Sequence, residues 1–323
     1  MNAIEQIHEP PAVWPSVTVV IPSRGRPAQL ERALRTILAQ RYEGELQSIV
    51  VLDGPDAEAA DANLSLTLLG RLNGRRNAVR ILRNSRTPGP SGARNTGALA
   101  ADSDFVAFCD DDDEWLPDKL QEQVGAVLRD DASAATCGID VAFRGRTITR
   151  CPENEAVTFE ELLRSRRTDM HTSTMLVRRE AFIGCIGTFD EAIPGSYGED
   201  YDWLLRAARV GPILTPRRVL ATIHWHESSF FEGRWQMIID ALSYLLAKHP
   251  EFGRDPKGLA RIYGQLAFAS AALGRSGDAR YWARGALVLD VRQPRAYLAL
   301  LVAAKVLGAG ALLRFLHRFG RSI

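Results

Sequence analysis

Short apolar runs and helix-periodic segments take turns along the first half of the chain. "SVTVVIPS" (16–23) is a β-branched run ending at a proline and a serine. "RPAQLERALRTILAQ" (26–40) follows it with Leu30, Leu34, Ile37 and Leu38 three and four apart, the period of one helix face. The alternation returns in "LQSIVVLDG" (46–54) with the helical "AEAADANLSLTLLGRL" (57–72), and in "AVRILRN" (78–84) with the helix-like "GPSGARNTGALAA" (89–101). A fourth strand, "DFVAFCD" (104–110), feeds an acidic run, and "LPDKLQEQVGAVLR" (116–129) opens a helix with Pro117 near its first turn. Strands apolar on both faces and separated by helices predict an α/β fold with a Rossmann-like, mainly parallel sheet flanked by helices. Such sheets bind ligands beyond the carboxyl ends of their strands. Asp53 and Asp110 to Asp113 fall at those ends and are expected to converge on one crevice.

From "SAATCGIDVAFRG" (133–145) onward the alternation weakens. Strand-like "STMLVRR" (173–179) and "RVLATIHWH" (218–226) mix with short helices such as "EDYDWLLRAARVG" (199–211), which reads as a mixed sheet edge carrying acceptor-side residues. After Glu232 the pattern is helical throughout, so an all-α C-terminal region is expected. The expected division is an N-terminal extension over 1–15, an α/β domain over 16–230 and a helical region over 231–323. Within the last, "LARIYGQLAFASAALGRSGDARYWARGALVLD" (259–290) is similar to one tetratricopeptide unit, with small residues where paired helices approach. One unit cannot bury its own face, so a helical appendage packed on the main domain is the competing reading.

Composition adds a contrast that the average conceals. The chain of 323 residues carries 40 basic and 39 acidic residues, a formal charge of +1, which gives no whole-chain nucleic-acid signal. Residues 231–323 hold 14 Lys or Arg against 6 Asp or Glu, a net +8, which leaves −7 for the remainder. Cys109, Cys137, Cys151 and Cys185 lie far apart with no CxxC, so neither a zinc site nor a disulfide framework is indicated and a reduced, cytoplasmic setting fits. The first fifteen residues carry acids and prolines and do not read as a secretory signal.

The acidic run "CDDDDEW" places Asp110, Asp111, Asp112, Asp113 and Glu114 directly after a buried strand. Adjacent carboxylates there repel unless a cation offsets them. All-oxygen ligation suits Mg2+ or Mn2+, and Mg2+ is usually shared between one or two carboxylates and substrate phosphates. The plainer alternative is a solvated helix start, where acids are favoured by the macrodipole.

Five segments in order, "VTVVIPSRGRPAQLERALRTILAQ", "IVVLDGP", "GPSGARNTG", "FVAFCDDDDEWLPDKL" and "GEDYDW", resemble those of a family 2 glycosyltransferase of the GT-A fold, over roughly residues 16 to 230. The resemblance implies an inverting, metal-dependent transfer of a sugar from a nucleotide-diphosphate donor to an acceptor hydroxyl, of the kind used in bacterial polysaccharide biosynthesis. It implies that Pro22, Ser23 and Arg24 form the turn cradling the nucleotide base, and that Asp53 accepts a hydrogen bond from it. An acceptor-only carboxylate suits the N3–H of uracil or thymine, which favours a UDP- or dTDP-sugar. Arg94 and Asn95 match a segment beside the donor. Asp110 and Asp112 form the DxD, with Asp112 assigned to the metal and Asp111 to the ribose side. Asp200 of the "ED" pair is the implied general base, with Glu199 able to position the acceptor. His226 matches a histidine that joins the metal or diphosphate, and His224 is the weaker match.

Two other functions compete. A nucleotidyltransferase would use the same strand-end acids, although "IPSRGRPAQ" lacks the lysine of its phosphate loop. A non-catalytic sugar-nucleotide-binding or scaffold protein would work through its helical tail. The acceptor is left as a glycan, a lipid-linked saccharide or a small molecule. The basic, amphipathic "LLRFLHRFGRSI" (312–323) suits peripheral contact with an anionic bilayer at the inner face of the plasma membrane, or simple docking on the preceding helices.

Overall fold

The computed structural model describes residues 13–54, 79–225 and 233–312. The helical reading of 57–72, the histidine at 226 and the tail beyond Leu312 lie outside the described residues. The chain divides into two compact units. The first comprises Met1–Val157, Thr168–Phe189 and Arg206–His224, and the second Thr158–Arg167, Asp190–Leu205 and Trp225–Ile323.

The first unit is built on an eight-stranded sheet. Its strands in chain order are β1 (Val17–Ser23), β2 (Leu46–Leu52), β3 (Val79–Arg83), β4 (Phe105–Phe108), β6 (Ala134–Ala135), β9 (Ala156–Val157), β10 (Leu176–Arg178) and β11 (Ile213–Leu214), arranged β3-β2-β1-β4-β10-β6-β11-β9. β3, β2, β1 and β4 are mutually parallel, which is the half that the strand–helix alternation predicted. Beyond β4 the sheet is mixed: β10 runs antiparallel to both β4 and β6, and β9 antiparallel to β11. A second sheet has the order β5-β12-β7-β8, from β5 (Glu114–Trp115), β7 (Gly138–Phe143), β8 (Arg146–Arg150) and β12 (Val219–His224).

Burial explains why β1 is central. Val17, Val19, Val20 and Ile21 are all fully inaccessible, so both faces of the strand are covered. α1 (Pro27–Leu38) starts at a proline, whose missing N–H costs nothing in a first turn, and buries Leu30, Ala33, Leu34, Ile37 and Leu38. α2 (Pro90–Leu99) is buried from Ser91 to Ala98 because it lies directly on the sheet. Its small residues permit that approach: a Cβ on Gly97 would stand 2.4 Å from Val20 Cγ1. α3 (Lys119–Arg129) covers further sheet with Leu120, Val124 and Val127.

The second unit contains α4 (Phe159–Arg164), the first half of α6 (Glu199–Val210), α7 (Trp235–Lys248), α8 (Pro256–Ala272), α9 (Ser276–Leu289) and α10 (Pro294–Ala303); the short α5 (Arg179–Ile183) belongs to the first unit. Thr158 and Glu161 close a capping box at the start of α4. α8, α9 and α10 share a core of Ala267, Phe268, Ala271, Ala279, Ala283, Ala286, Ala296 and Ala299, small side chains that let the helices pack closely. A Cβ on Gly258 would fall 1.9 Å from the Leu163 carbonyl oxygen, so α8 begins against the backbone of α4. No helix of the described residues is long and apolar enough to cross a membrane.

Candidate active site

In the first unit the acidic run turns out of β4 at the carboxyl end of the parallel strands. Cys109 N–H still donates to Val20 O at 3.1 Å, and the next four residues fan around the end of β1. Asp110 accepts from Arg94 Nη2 at 2.7 Å, so α2 delivers a nearly buried guanidinium to the strand end. Asp111 has no exposed side-chain surface. Its Oδ2 accepts from Ser23 Oγ at 2.7 Å, and its Oδ1 pairs with Arg26. Asp112 Oδ2 accepts from Arg26 Nη1 at 2.6 Å. Asp113 Oδ2 accepts from Ser173 Oγ, and its Oδ1 from the His224 backbone N–H at 3.1 Å. Asp111 and Asp112 lie in a turn closed by the Asp113 N–H, which donates to Asp110 O at 3.1 Å, and this turn gives four neighbouring carboxylates four different surroundings.

The four aspartates share Arg26 and Arg94, and His171 Nδ1 stands 3.5 Å from Asp113 Oδ2, while Glu114 is held separately by Arg32 at 2.9 Å and His224 at 2.8 Å. Burial is the largest influence on Asp111 and pushes it up to about 6, against the pull of Ser23 and Arg26. Burial, and then Asp110 and Asp112, raise Asp113 well above the carboxylate range. Asp110 is held below it: burial opposes ionisation there, but Arg94 and His171 outweigh it. Asp110, Asp113 and His171 each offer a ligand atom, all within 4.8 Å of one another. Two carboxylates and an imidazole suit a borderline-hard divalent ion such as Mn2+. The raised Asp113 carboxyl is the group whose ionisation such an ion would favour, so the residues present fit a metal.

The residues expected around a base are grouped nearby in the first unit. Asp53 follows β2 and is fixed by Asn84 Nδ2 at 2.8 Å and by the Gly89 N–H at 3.0 Å, the residue that opens α2. Gly54 has φ +111°, a conformation that favours glycine, and a Cβ there would stand 3.2 Å from Arg24 Nε. The turn after β1 thus lays Arg24 along the segment after β2. Pro22 sits within β1, paired in register with Val51. Asn95 is placed differently from its neighbour Arg94. Fully buried, it donates through Nδ2 to Phe189 O at 2.8 Å and accepts from Phe189 N–H at 2.9 Å, a clamp on the backbone.

In the second unit, Glu199 and Asp200 open α6 and are nearly buried. Gly198 precedes them at φ +84°, the sharp entry that the "GED" spacing suggested. Both carboxylate oxygens of Asp200 accept from Arg166 Nη2, at 2.9 and 2.7 Å, and Oδ1 also accepts from the Tyr201 N–H at 2.7 Å. Two residues later, Asp202 is buried against Lys248 Nζ and His249 Nε2, each at 2.8 Å, which fixes the start of α6 to α7.

The comparisons with known proteins agree with the motif order. The sequence pattern described as Glycosyl transferase family 2 matches residues 18–185. The chain belongs to glycosyl transferase family 2. Among relatives of this family 2 chain, the succinoglycan biosynthesis protein ExoW of Rhizobium meliloti (strain 1021) is 32% identical over 185 residues, 51% of this chain and 56% of that protein. WfgD of Escherichia coli, a UDP-Glc:alpha-D-GlcNAc-diphosphoundecaprenol beta-1,3-glucosyltransferase, is 24% identical over 149 residues, 46% of this chain and 55% of that protein. The chain thus spans little more than half the length of these curated relatives. Its fold is that of S. aureus TarS 1-349 in complex with UDP-GlcNAc, at a TM-score of 0.59, 13% identity, and coverage of 90% of this chain and 91% of that one. It is also that of the mannosyltransferase PcManGT from Pyrobaculum calidifontis in complex with GDP-Man and Mn2+, at 0.53, 19%, 93% and 87%. This is the GT-A architecture that the family 2 motifs implied.

Several residues of the site had no signal in the family 2 motifs as read. Arg26 stands two residues beyond the "PSR" turn, and Asp113 one residue beyond the DxD. His171, Ser173 and Arg166 come from irregular segments without periodicity, where sequence offers no direction for a side chain.

Proposed function

We propose that this chain transfers a sugar from a nucleotide-diphosphate donor, with uridine or thymidine as the favoured base, to an acceptor hydroxyl with inversion at the anomeric carbon. The observation that carries the reading is the grouping of Asp110, Asp113 and His171 at the end of β4, whose ligand atoms lie within 4.8 Å of one another and fit a divalent ion. Mn2+ or Mg2+ would be held among Asp110, Asp112, Asp113 and His171, with Asp112 exchanging its bond to Arg26, and when bound would offset charge on a departing diphosphate. Arg94, fixed by Asp110, adds permanent positive charge to the donor region. Ser23 orients Asp111 toward a ribose, while Arg24 and Asp53 frame the base. Asp200 is the proposed base: a carboxylate held in one orientation by Arg166 and the Tyr201 N–H takes the acceptor proton as the hydroxyl attacks. Glu199 helps to orient that acceptor. A glycan or lipid-linked saccharide is the proposed acceptor class, in keeping with what the names of ExoW and WfgD describe for those proteins. The transferase part is assigned to 16–230 and the helical part to 231–323, with the basic tail as a candidate for peripheral membrane contact.

The test is thermal stabilisation of the full chain by UDP, dTDP, GDP and ADP, with and without Mn2+. One pyrimidine diphosphate should raise Tm only with metal, and Asp113→Asn should abolish the metal's share. Equal stabilisation without metal, or by every base alike, would overturn the reading.

A further inference from the structure

Three arginines gather in the second unit with too few acids to match them. Arg166 is held by Asp200, as described above, and is raised above its ordinary range, first by that carboxylate. Arg261, on α8, lies over the Tyr201 ring with its guanidinium carbon 5.3 Å from the centroid, and its Nη2 donates to Tyr201 Oη at 2.9 Å. Arg295 is the second residue of α10. The absence of a side chain at Gly264, one turn along α8 from Arg261, lets α10 approach: a Cβ there would meet Arg295 Cβ at 3.0 Å and Gln293 Cγ at 3.1 Å.

Neither Arg261 nor Arg295 has a carboxylate partner among the described residues, and the buried Nε of each has no hydrogen-bond acceptor. The buried Oε1 of Gln293 likewise lacks a donor. Burial, followed by the charge of Arg166, holds Arg261 below the usual arginine range, and burial, followed by Arg261, does the same to Arg295. Glu199 also acts on Arg166, Tyr197 faces all three arginines, and Asp255, which acts on Tyr201, is bonded to Arg164 at 3.0 Å. Like charges brought together out of water cost stability, and an unpartnered buried N–H adds to that cost. An arrangement of this kind is relieved by an oxyanion, which arginine forks grip through paired N–H donors.

We propose that Arg261 and Arg295, with Arg166 beside them and the Gln293 carbonyl to take a hydroxyl, form a site for a phosphoryl group carried by the acceptor. The acceptor of this transferase is therefore a phosphorylated or diphosphate-linked saccharide. The assignment rests on the proposed transfer reaction and names the substrate class that the second unit recruits. Two sources share this chemistry, the acceptor and the nucleotide donor, and the variants separate them.

The experiment measures binding of inorganic phosphate, and separately of UDP with Mn2+, to the full-length chain by calorimetry and thermal shift. The variants are Arg261→Gln, Arg295→Gln and the charge-conserving Arg295→Lys. Phosphate should stabilise the wild type. Its affinity should fall at least about tenfold in each Gln variant and by less in Arg295→Lys. In phosphate-free buffer Arg295→Gln should melt no lower than the wild type, because a repulsion is removed. UDP binding with Mn2+ should be unchanged in all three. Equal phosphate affinity in wild type and variants would overturn the site. A loss of UDP binding in the Gln variants would overturn its assignment to the acceptor. Intact metal-dependent UDP binding without any phosphate effect would leave the transfer reaction standing and remove only this site.

Discussion

The two units each hold a cluster of like charges, and they hold them by different means. In the first, four aspartates after β4 share Arg26 and Arg94, hydroxyls from Ser23 and Ser173, and a backbone N–H, so each carboxylate has at least one donor. In the second, Arg261 and Arg295 keep unpartnered buried Nε groups, and Arg166 alone is matched. On the proposed reading the aspartates take a small cation, whose position short side chains would fix. The arginines reach from three separate segments and leave donors open, as suits a larger polyatomic anion. The lesson is that an uncompensated cluster states the sign of its ligand, and the length of its side chains states the ligand's size.

The contrast can be broken most severely at Asp200. Asp200→Asn keeps the shape and most of the hydrogen bonds but cannot take a proton, so turnover of donor and acceptor should fall about a thousandfold, ~4 kcal/mol of barrier, with UDP binding retained. Activity within tenfold of the wild type would remove Asp200 as the base.

A third buried charge supplies a control outside both clusters. Lys119 is fully buried, its Nζ 3.9 Å from the centre of the Trp115 ring and hydrogen-bonded to Gln123 Oε1, and burial pushes it down to about 8 from 10.5. Between those values the folded chain binds fewer protons than the unfolded one, so stability rises with pH across that window. The rise, measured by denaturant unfolding relative to Lys119→Met, should reach about 3 kcal/mol. A flat difference would show that the ring and the amide compensate the charge fully.

Asp113→Asn sharpens the acidic side. Mn2+ affinity, followed by paramagnetic resonance, should drop at least about tenfold, because a ligand is lost. The metal-free protein should melt higher than the wild type, since the carboxylate removed is the one raised by burial and then by Asp110 and Asp112. The smallest effect is expected on the basic side. Thr158→Ala removes the capping box of α4, the helix whose last residue lies two before Arg166, and should cost about 1 kcal/mol in global unfolding.

Much of the first unit was legible because its strands carry their burial in their composition. β4 is apolar at every position and β1 and β2 carry apolar residues on both faces, which suits strands covered on both sides, and Pro27 and Pro90 mark the first residues of the helices α1 and α2. The acidic run was visible for the same reason, since five acids after such a strand have no structural excuse. Asn95 shows where this reading stops. Beside Arg94 in the same motif it looked equally available to a ligand, yet its amide is consumed by the Phe189 backbone, a residue 94 positions away.

By itself the sequence determined the family, the parallel half of the sheet, the acidic cluster and the "ED" helix start, because each is written in local periodicity or in consecutive residues. Only the tertiary structure decided which aspartate meets which arginine, that His171 joins Asp110 and Asp113, and that Arg166, Arg261 and Arg295 gather in one unit. Those choices depend on side-chain directions from segments far apart in the chain. Electrostatic energy depends on distance in space, to which spacing along the chain is blind.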